Sequence, residues 1–325
     1  METTSSSVQL VTIDPDQDGQ RIDNFLIARL KGVPRSRIYR ILRKGEVRVN
    51  KGRIKAEYKV CAGDIVRIPP IRMAQSDTKP KPSEKLLLTI ANSIIFENDD
   101  LVVVNKASGI AVHGGSGISL GLIELLRFHF QNQRLELVHR IDRETSGCVL
   151  IAKRRKVLTE LQNQFREKTI EKHYLALVSG KWPNTTRQID APLLKNQLES
   201  GERIVKISGE GKASLTEFRV LKRFKKATLV DAKPITGRTH QIRVHCRFAK
   251  HPIIADEKYA NEESDKNTKL LAIKRLFLHA ATLEFTLPGG SERLKIEAPL
   301  PADLQNALDR IELNENASKL HNGLT

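Results

Sequence analysis

The sequence predicts a two-domain protein of the α/β (α+β) class, and three observations lead to this prediction. A length of 325 residues is more than one average domain needs. Short apolar runs typical of buried strands, such as Leu101–Val104 and Cys148–Ala152, alternate with stretches of helical periodicity. A polar, proline-spaced segment then divides a basic N-terminal part from the rest. The expected organisation is a flexible tail at 1–17, a small module at 18–70, a linker at 71–85, a large domain at 86–313 and a second flexible tail at 314–325.

The charge of the chain is large and unevenly distributed. A net charge of +17 with a pI near 9.8 points to a polyanionic partner. Fourteen basic and four acidic residues lie between 20 and 70, so under a sixth of the chain carries +10 of the excess. No apolar run approaches the roughly 18 residues that span a bilayer, and no basic region leads into an apolar one as in a secretory signal. We therefore expect a cytoplasmic protein that binds nucleic acid rather than membrane.

The cysteines and histidines do not predict a metal site or a disulfide framework. Cys61, Cys148 and Cys246 are widely spaced and form no Cys-x-x-Cys pair, which is typical of reduced thiols. Four histidines in the C-terminal part also lack the spacing of metal ligands. We interpret them as hydrogen-bonded structural residues: His139, His240, His245 and His279.

The basic module has the pattern helix, helix, strand, turn, strand. Its ordered pieces resemble the S4 RNA-binding domain, and they are Arg21-Ile-Asp23, Arg35-Ser36, Arg43-Lys44-Gly45, Val47-Arg48-Val49-Asn50 and Gly63-Asp64. The resemblance implies that the basic face of the second helix and the following turn lie against RNA phosphates, although a solvated basic face is the alternative. The candidate RNA-binding residues are Arg35, Arg37, Arg40, Arg43, Lys44, Arg48 and Lys51.

The stretch Val138–Gly147 has the composition of a functional loop. It reads Val-His-Arg-Ile-Asp-Arg-Glu-Thr-Ser-Gly, and the apolar segments on both sides of it predict buried strands. A rigid scaffold that presents a carboxylate between two arginines is a common way to build a site. Asp142 is therefore the candidate for chemistry, and an ordinary solvated turn is the alternative.

Further segments of the large domain share a recognisable order with this loop. They are Asn105–Gly109, Lys172–Gly180, Thr236–His245, His251–Tyr259 and Phe277–Ala280. The set resembles the RluA-type pseudouridine synthases, whose signatures are a His-Arg-Leu-Asp-x-x-Thr-Ser-Gly loop and a Gly-Arg-Thr-His-Gln-Ile-Arg-Val-His segment. Ile141 and Ala107 depart from that pattern, where Leu and Pro are usual, but neither departure removes a reactive group. The resemblance implies a catalytic domain with a mixed, mainly antiparallel central sheet.

The resemblance also implies a reaction, the isomerisation of specific uridines to pseudouridine in bacterial large-subunit (23S) ribosomal RNA. The N1–C1′ bond breaks, the base rotates and C5 joins C1′, so all atoms are retained and neither a cofactor nor a metal is needed. The nucleotide must leave the RNA stack for a pocket. Asp142 takes the position of the catalytic carboxylate, as nucleophile at C1′ or as base at C2′, and the sequence leaves both roles open. By the same resemblance, Arg243 is its basic partner, Tyr174 stacks on the uracil, and Arg140 fills the gap left by the flipped base.

The main alternative is a non-catalytic S4-type RNA-binding or ribosome-assembly protein. A pure binder would not need Asp142, Tyr174 and Arg243 together. An RNA methyltransferase would need a Gly-rich loop after a strand followed by an acidic ribose-binding residue, and a zinc deaminase a Pro-Cys-x-x-Cys motif; the sequence contains neither. We expect a monomer whose partner is ribosomal RNA, and we expect the polar segment Asn261–Asn267 to be an insertion loop.

Overall fold

The computed structural model describes residues 7–30, 32–71, 81–114, 120–197 and 203–322. Backbone contacts divide the chain into two compact units, residues 1–81 and residues 82–325. Most of the expected linker, residues 72–80, lies outside the described residues. Among the helices described, none is both long and apolar enough to cross a membrane.

The first unit packs two helices against a four-stranded antiparallel sheet. Ile22, Phe25 and Leu26 of the first helix join Ile38 and Ile41 of the second in a core that is closed by the sheet. The sheet order is β1-β4-β2-β3. The elements are β1 Gln9–Thr12, α1 Ile22–Arg29, α2 Arg35–Arg43, β2 Arg48–Val49, β3 Gly52–Arg53 and β4 Ile65–Ile68.

The end of α2 and the β2–β3 hairpin explain two of the motifs in this unit. Gly45 follows α2 with φ +69°, a left-handed conformation that favours glycine at a helix end, and a Cβ there would also displace the Arg53 side chain. Asn50 and Lys51 form the two-residue turn between β2 and β3, with φ values of 47° and 69°. Two consecutive left-handed residues give a hairpin turn whose twist matches the strands.

Two buried carboxylates connect the loops of this unit. Asp23 accepts hydrogen bonds from Arg21 Nη2 at 2.6 Å and from the Tyr39 hydroxyl at 3.1 Å. Asp64 accepts hydrogen bonds from Asn50 Nδ2 at 2.7 Å and from the Tyr58 hydroxyl at 3.2 Å. The hydrogen bond from Arg21 lowers the pKa of Asp23, and hydrogen bonds from backbone and side chains lower that of Asp64. The acidic positions of these motifs therefore have a structural explanation.

The second unit is built on a mixed, mainly antiparallel sheet, as the sequence predicts. Its main path runs β10-β13-β14-β9-β15-β8-β6-β5, with β16 paired to β15 and β7 to β8; only the β8–β15 pair is parallel among these pairs. Strands β11 and β12 form a separate hairpin. The strands are β5 Ile94–Glu97, β6 Leu101–Lys106, β7 Glu136–Leu137, β8 Ser146–Ala152, β9 Glu171–Ser179, β10 Gln188–Asp190, β11 Leu193–Gln197, β12 Arg203–Ile207, β13 Leu215–Arg223, β14 Ala227–Pro234, β15 Leu278–Thr286 and β16 Arg293–Glu297. The helices are α3 Glu84–Ala91, α4 Leu122–His129, α5 Arg155–Glu167, α6 Gln241–Phe248, α7 Glu262–Leu271 and α8 Ala302–Asn322.

Ala280 of β15 aligns the two strands that carry the most important site residues. It pairs with Gly147 at the start of β8 and with Tyr174 on β9. Gly147 has φ +113°, and a Cβ there would lie 2.2 Å from the Ala280 carbonyl oxygen. Since a side chain would collide with the neighbouring backbone, glycine is required where the loop enters β8.

Three segments differ from the sequence-based expectations. Residues 9–12 form β1 in the expected N-terminal tail, because they pair with β4. Helix α8 runs to residue 322, through most of the expected C-terminal tail; among its side chains up to residue 317, Ile311 is the last buried apolar one. The expected loop Asn261–Asn267 is wrong, because Asn261 caps the N-terminus of α7 by accepting a hydrogen bond from the Ser264 amide.

Candidate active site

The loop between β7 and β8, which contains Asp142, is held in place by the end of β6 and the segment that follows it. The buried Lys106 donates hydrogen bonds from Nζ to the carbonyl oxygens of Arg143 at 3.1 Å, Ala107 at 2.9 Å and Ile110 at 2.9 Å. The Ser108 hydroxyl donates to the Glu144 carbonyl at 2.6 Å. These bonds fix the backbone on the C-terminal side of Asp142. They give the Asn105–Gly109 motif a positioning role.

A pocket of about 290 Å³ opens next to this loop and brings the predicted site residues together. Asp142 and Arg140 come from the loop, Tyr174 from β9, and Arg243 from α6, so residues up to a hundred positions apart line one cavity. Thr236–Ile242 forms the opposite wall. The Gln241 amide supports that wall by donating to the Leu215 carbonyl and accepting from the Thr236 hydroxyl.

A buried arginine connects the floor of the pocket to Asp142. Arg243 is 2% exposed and binds Asp256 with two hydrogen bonds, from Nε at 2.8 Å and from Nη2 at 2.7 Å. Among the described residues its Nη1 has no hydrogen-bond partner, and it lies 3.8 Å from Asp142 Oδ2 and 3.7 Å from Glu144 Oε2. A buried guanidinium nitrogen without such a partner is unusual, and this one belongs to a residue that lines the pocket. The nearby carboxylates keep the pKa of Arg243 above its usual value in spite of burial.

His240 is the second nitrogen-bearing side chain that faces Asp142. Its Nε2 lies 3.9 Å from Asp142 Oδ2, and its Nδ1 is hydrogen-bonded to the Tyr259 hydroxyl at 2.7 Å. Burial lowers the pKa of His240. The sequence interpretation as a purely structural histidine therefore missed its place in the pocket. His240 is the N-cap residue of α6 in a left-handed conformation, φ +53°, and residue spacing gives no signal of that placement.

Tyr174, Arg140 and Lys172 occupy other parts of the pocket wall. The hydroxyl of Tyr174 has no hydrogen-bond partner within the described part of the chain, and burial, followed by the charge of Asp142, raises its pKa. Arg140 is exposed at the pocket and forms no ion pair with a described residue. Lys172 is half-buried, and burial lowers its pKa to about 8.

The remaining histidines of the sequence analysis have structural hydrogen bonds. His139 accepts from the Leu150 amide at 3.1 Å, and burial lowers its pKa to about 3. His245 contacts the Ala191 carbonyl at 3.2 Å, and His279 the Ala298 carbonyl at 3.0 Å. No three His, Cys, Asp or Glu side chains of the described residues are arranged to hold a metal ion.

The seven basic candidates of the first unit are all exposed. Four of them lie on α2, and Lys44 follows its last residue. Arg48 and Lys51 belong to the β2–β3 hairpin, where the Arg48 guanidinium donates to the carbonyls of Gly45 and Lys51. None of the seven forms an ion pair with a carboxylate in the ranges that the structure describes. Their charges are therefore available to a polyanion.

Comparison with known proteins identifies both parts of the chain. A family model described as RNA pseudouridylate synthase matches residues 100–248, and the S4 domain model matches residues 20–66. The protein named "Ribosomal large subunit pseudouridine synthase C" from Yersinia pestis is 54% identical over 98% of this chain and 99% of its own length. The protein of the same name from Escherichia coli K12 is 53% identical over 96% of this chain and 99% of its own.

Solved structures agree with this assignment. The structure titled "Human RNA Pseudouridylate Synthase Domain Containing 4" is 27% identical, with a TM-score of 0.59 over 70% of this chain and 96% of its own. "Human RNA Pseudouridylate Synthase Domain Containing 1" gives a TM-score of 0.55 over 70% of this chain and 90% of its own, also at 27% identity. The chain therefore belongs to the RNA pseudouridylate synthase family and carries an S4 domain in its N-terminal part.

Proposed function

We propose that this enzyme converts uridines of large-subunit ribosomal RNA to pseudouridine, with Asp142 as the catalytic carboxylate. The observation that supports this role most strongly is the placement of Asp142 at a pocket beside Nη1 of Arg243, which has no hydrogen-bond partner in the described part of the chain. The substrate class follows from the names of the relatives that are 53–54% identical over nearly the whole chain.

The residues of the pocket have complementary tasks in this proposal. The Asp142 carboxylate is 20% exposed, so it is accessible to a flipped nucleotide, and Nη1 of the Arg243 guanidinium lies 3.8 Å from its Oδ2. An ionised carboxylate acts as nucleophile at C1′ or as base at C2′. The ring of Tyr174 offers a stacking surface, and its raised pKa keeps the phenol protonated. Arg140, exposed and unpaired at the pocket, takes the place of the flipped base, because a planar guanidinium can stack on neighbouring bases.

Tritium release tests the catalytic role. Transcribed large-subunit RNA is tritiated at uridine C5, where the hydrogen is lost to water when C5 bonds to C1′. The wild type should release tritium, and Asp142→Asn should not. A matched control is Glu144→Gln, which also removes one carboxylate near Arg243 but should remain active. Equal release by the wild type and Asp142→Asn would refute the assignment, and no release by the wild type would favour a pure RNA-binding role.

In this proposal the S4 unit supplies the sequence-independent binding to RNA phosphates. Exposed, unpaired charges on and after α2 release counterions when they meet phosphates, and each contact contributes about 0.7 to the slope of log K against log salt for single strands. Replacing Arg40, Arg43 and Lys44 by serine should make the slope shallower by about 2. The control removes three exposed charges elsewhere in the unit: Arg29, Lys55 and Lys59. An equal change in the control would mean that net charge matters rather than this face.

We further propose that the protein acts as a monomer in the cytoplasm, where bacterial ribosomal RNA is made. Sedimentation should give a species near 36.6 kDa. Cell fractionation should place the protein with the soluble or ribosomal fractions rather than with membranes. A stable dimer or a membrane-bound pool would contradict these proposals.

A further inference from the structure

The hydrogen bonds around His240 determine which of its ring nitrogens carries the proton. The Val205 amide donates to the Tyr259 hydroxyl oxygen at 3.0 Å, so the hydroxyl proton of Tyr259 remains available for another acceptor. The next partner of that hydroxyl is His240 Nδ1 at 2.7 Å. If Nδ1 accepts this proton, a neutral His240 carries its own proton on Nε2. The β12 backbone, Tyr259 and His240 thus form a series of hydrogen bonds in which each group donates to the next.

The Nε2–H end of this series points toward the carboxylate of the proposed catalytic residue. His240 Nε2 and Arg243 Nη1 lie 3.9 and 3.8 Å from the same oxygen, Asp142 Oδ2. Both distances exceed a hydrogen bond by nearly 1 Å, and such contacts commonly tighten when substrate binds. The side chain of His240 is 10% exposed and that of Arg243 is 2% exposed, so neither donor can easily be replaced by bulk water.

We propose that His240 is a positioning residue for Asp142, and that its Nε2–H, oriented by Tyr259, completes a two-donor clamp with Arg243 on the Asp142 carboxylate. This inference rests on the proposed function, because it assumes that Asp142 carries the chemistry. The clamp would hold the carboxylate aimed at the sugar while the surrounding water is displaced by RNA. A neutral donor suits this place, since it orients the carboxylate without adding a second full charge beside Arg243.

The charged surroundings of His240 are consistent with a neutral ring. Burial is the largest influence and lowers the pKa of His240. The cations Arg243 and Lys258 act in the same direction, whereas Asp142 and Asp256 oppose them without reversing the shift. Tyr259, which is hydrogen-bonded to the ring, has a raised pKa, chiefly because of burial. Both members of the pair are therefore neutral at pH 7, and the direction of the hydrogen bond between them is preserved.

The test measures the single-turnover rate of tritium release at pH 7, with enzyme in excess over RNA. His240→Leu should lower this rate roughly tenfold, because the Asp142 carboxylate loses a donor that orients it. His240→Gln, which offers an amide N–H at a similar reach, should retain most of the rate. Both replacements occupy the same left-handed backbone position, φ +53°, so they carry similar strain.

A double-mutant cycle separates positioning from a general loss of structure. Tyr259→Phe keeps the ring beside Arg243 but removes the hydroxyl, so it should slow the wild type several-fold and leave His240→Leu unchanged. His245→Gln, a control on α6 whose ring is hydrogen-bonded to Thr216 and the Ala191 carbonyl, should leave the rate unchanged. A wild-type rate in His240→Leu, or additive losses in the cycle, would overturn the inference. An inactive wild type would instead refute the proposed function.

Discussion

The pair Arg243–Asp256 should be far more important for stability than a surface pair of the same geometry. Asp256→Asn removes the charge that faces the buried guanidinium, while the side-chain shape is almost unchanged. The Asp256 carboxylate accepts from Arg243 Nε and Nη2 and also from the backbone amides of Lys258 and Tyr259. An asparagine amide would bring its own N–H groups against these donors, so at least one of them would lose its acceptor.

The structure allows the magnitude to be bounded by comparison. The side chains of Arg243 and Asp256 are 2% and 0% exposed, whereas those of Arg275 and Asp303, which are also doubly hydrogen-bonded, are 20% and 56% exposed. Removing one partner of a buried pair costs about 3–5 kcal/mol. Breaking an exposed pair costs at most about 1 kcal/mol because water solvates the remaining charge. Asp303→Asn is therefore the matched control for Asp256→Asn.

Urea unfolding followed by tryptophan fluorescence measures the difference. Trp182 is the only tryptophan in the sequence and is buried in the second unit, so its signal reports on the unit that contains both pairs. Asp256→Asn should lower the free energy of unfolding by about 3–5 kcal/mol, and Asp303→Asn by about 1 kcal/mol or less. Similar small losses in both variants would refute the account of Arg243 as a buried, charge-dependent support of the pocket.

Three further predictions concern the loop, its histidine and the pocket wall. Gly147→Ala should lower the free energy of unfolding by at least about 2 kcal/mol, because its Cβ would collide with the Ala280 backbone. Gly209→Ala, where no atom lies near the new Cβ, should leave that free energy almost unchanged. His139 has a pKa lowered to about 3, so its contribution to stability is complete above pH 6.5 and is lost as the pH falls from 6.5 toward 3, by up to about 1.4 kcal/mol per pH unit. The unfolding free energy of His139→Gln should therefore depend less on pH, and an unchanged pH dependence would contradict the role of His139. Lys172→Met should weaken RNA binding several-fold at pH 7. The RNA affinity of the wild type should fall as the pH rises through about 8, while that of the variant stays constant. Equal pH profiles of RNA affinity would exclude a contact between this amine and RNA.

The sequence predicted the parts of the fold that depend on local patterns. Strands β6 and β8 could be predicted from their continuous apolar runs, and the two helices of the first unit from the helical pattern of the basic module. Strand β1 could not, because its pairing partner β4 lies more than fifty residues away. Helix α7 was also missed, since its buried residues Ser264 and Asn267 are polar and create no apolar period. Only the capping residue Asn261 signalled its start.

Motif resemblance identified the candidate site residues, but it did not identify the residues that hold them in place. Asp142, Tyr174 and Arg243 fall in recognisable segments, and the structure places all three at one pocket. The bond from Lys106 to the Arg143 carbonyl joins a lysine side chain to a backbone oxygen 37 positions away, which leaves no pattern in the sequence. The orientation of His240 likewise depends on long-range hydrogen bonds and on a left-handed backbone, and neither can be predicted from residue spacing.

The central claim is that this chain modifies large-subunit ribosomal RNA through Asp142, and mapping pseudouridines in cells tests it most directly. Large-subunit RNA would be sequenced from a strain that lacks the gene and from the same strain complemented with the wild type or with Asp142→Asn. The account predicts that specific pseudouridines disappear in the deletion strain, return with the wild type and remain absent with Asp142→Asn. Restoration of those sites by Asp142→Asn, or an unchanged map in the deletion strain, would contradict it.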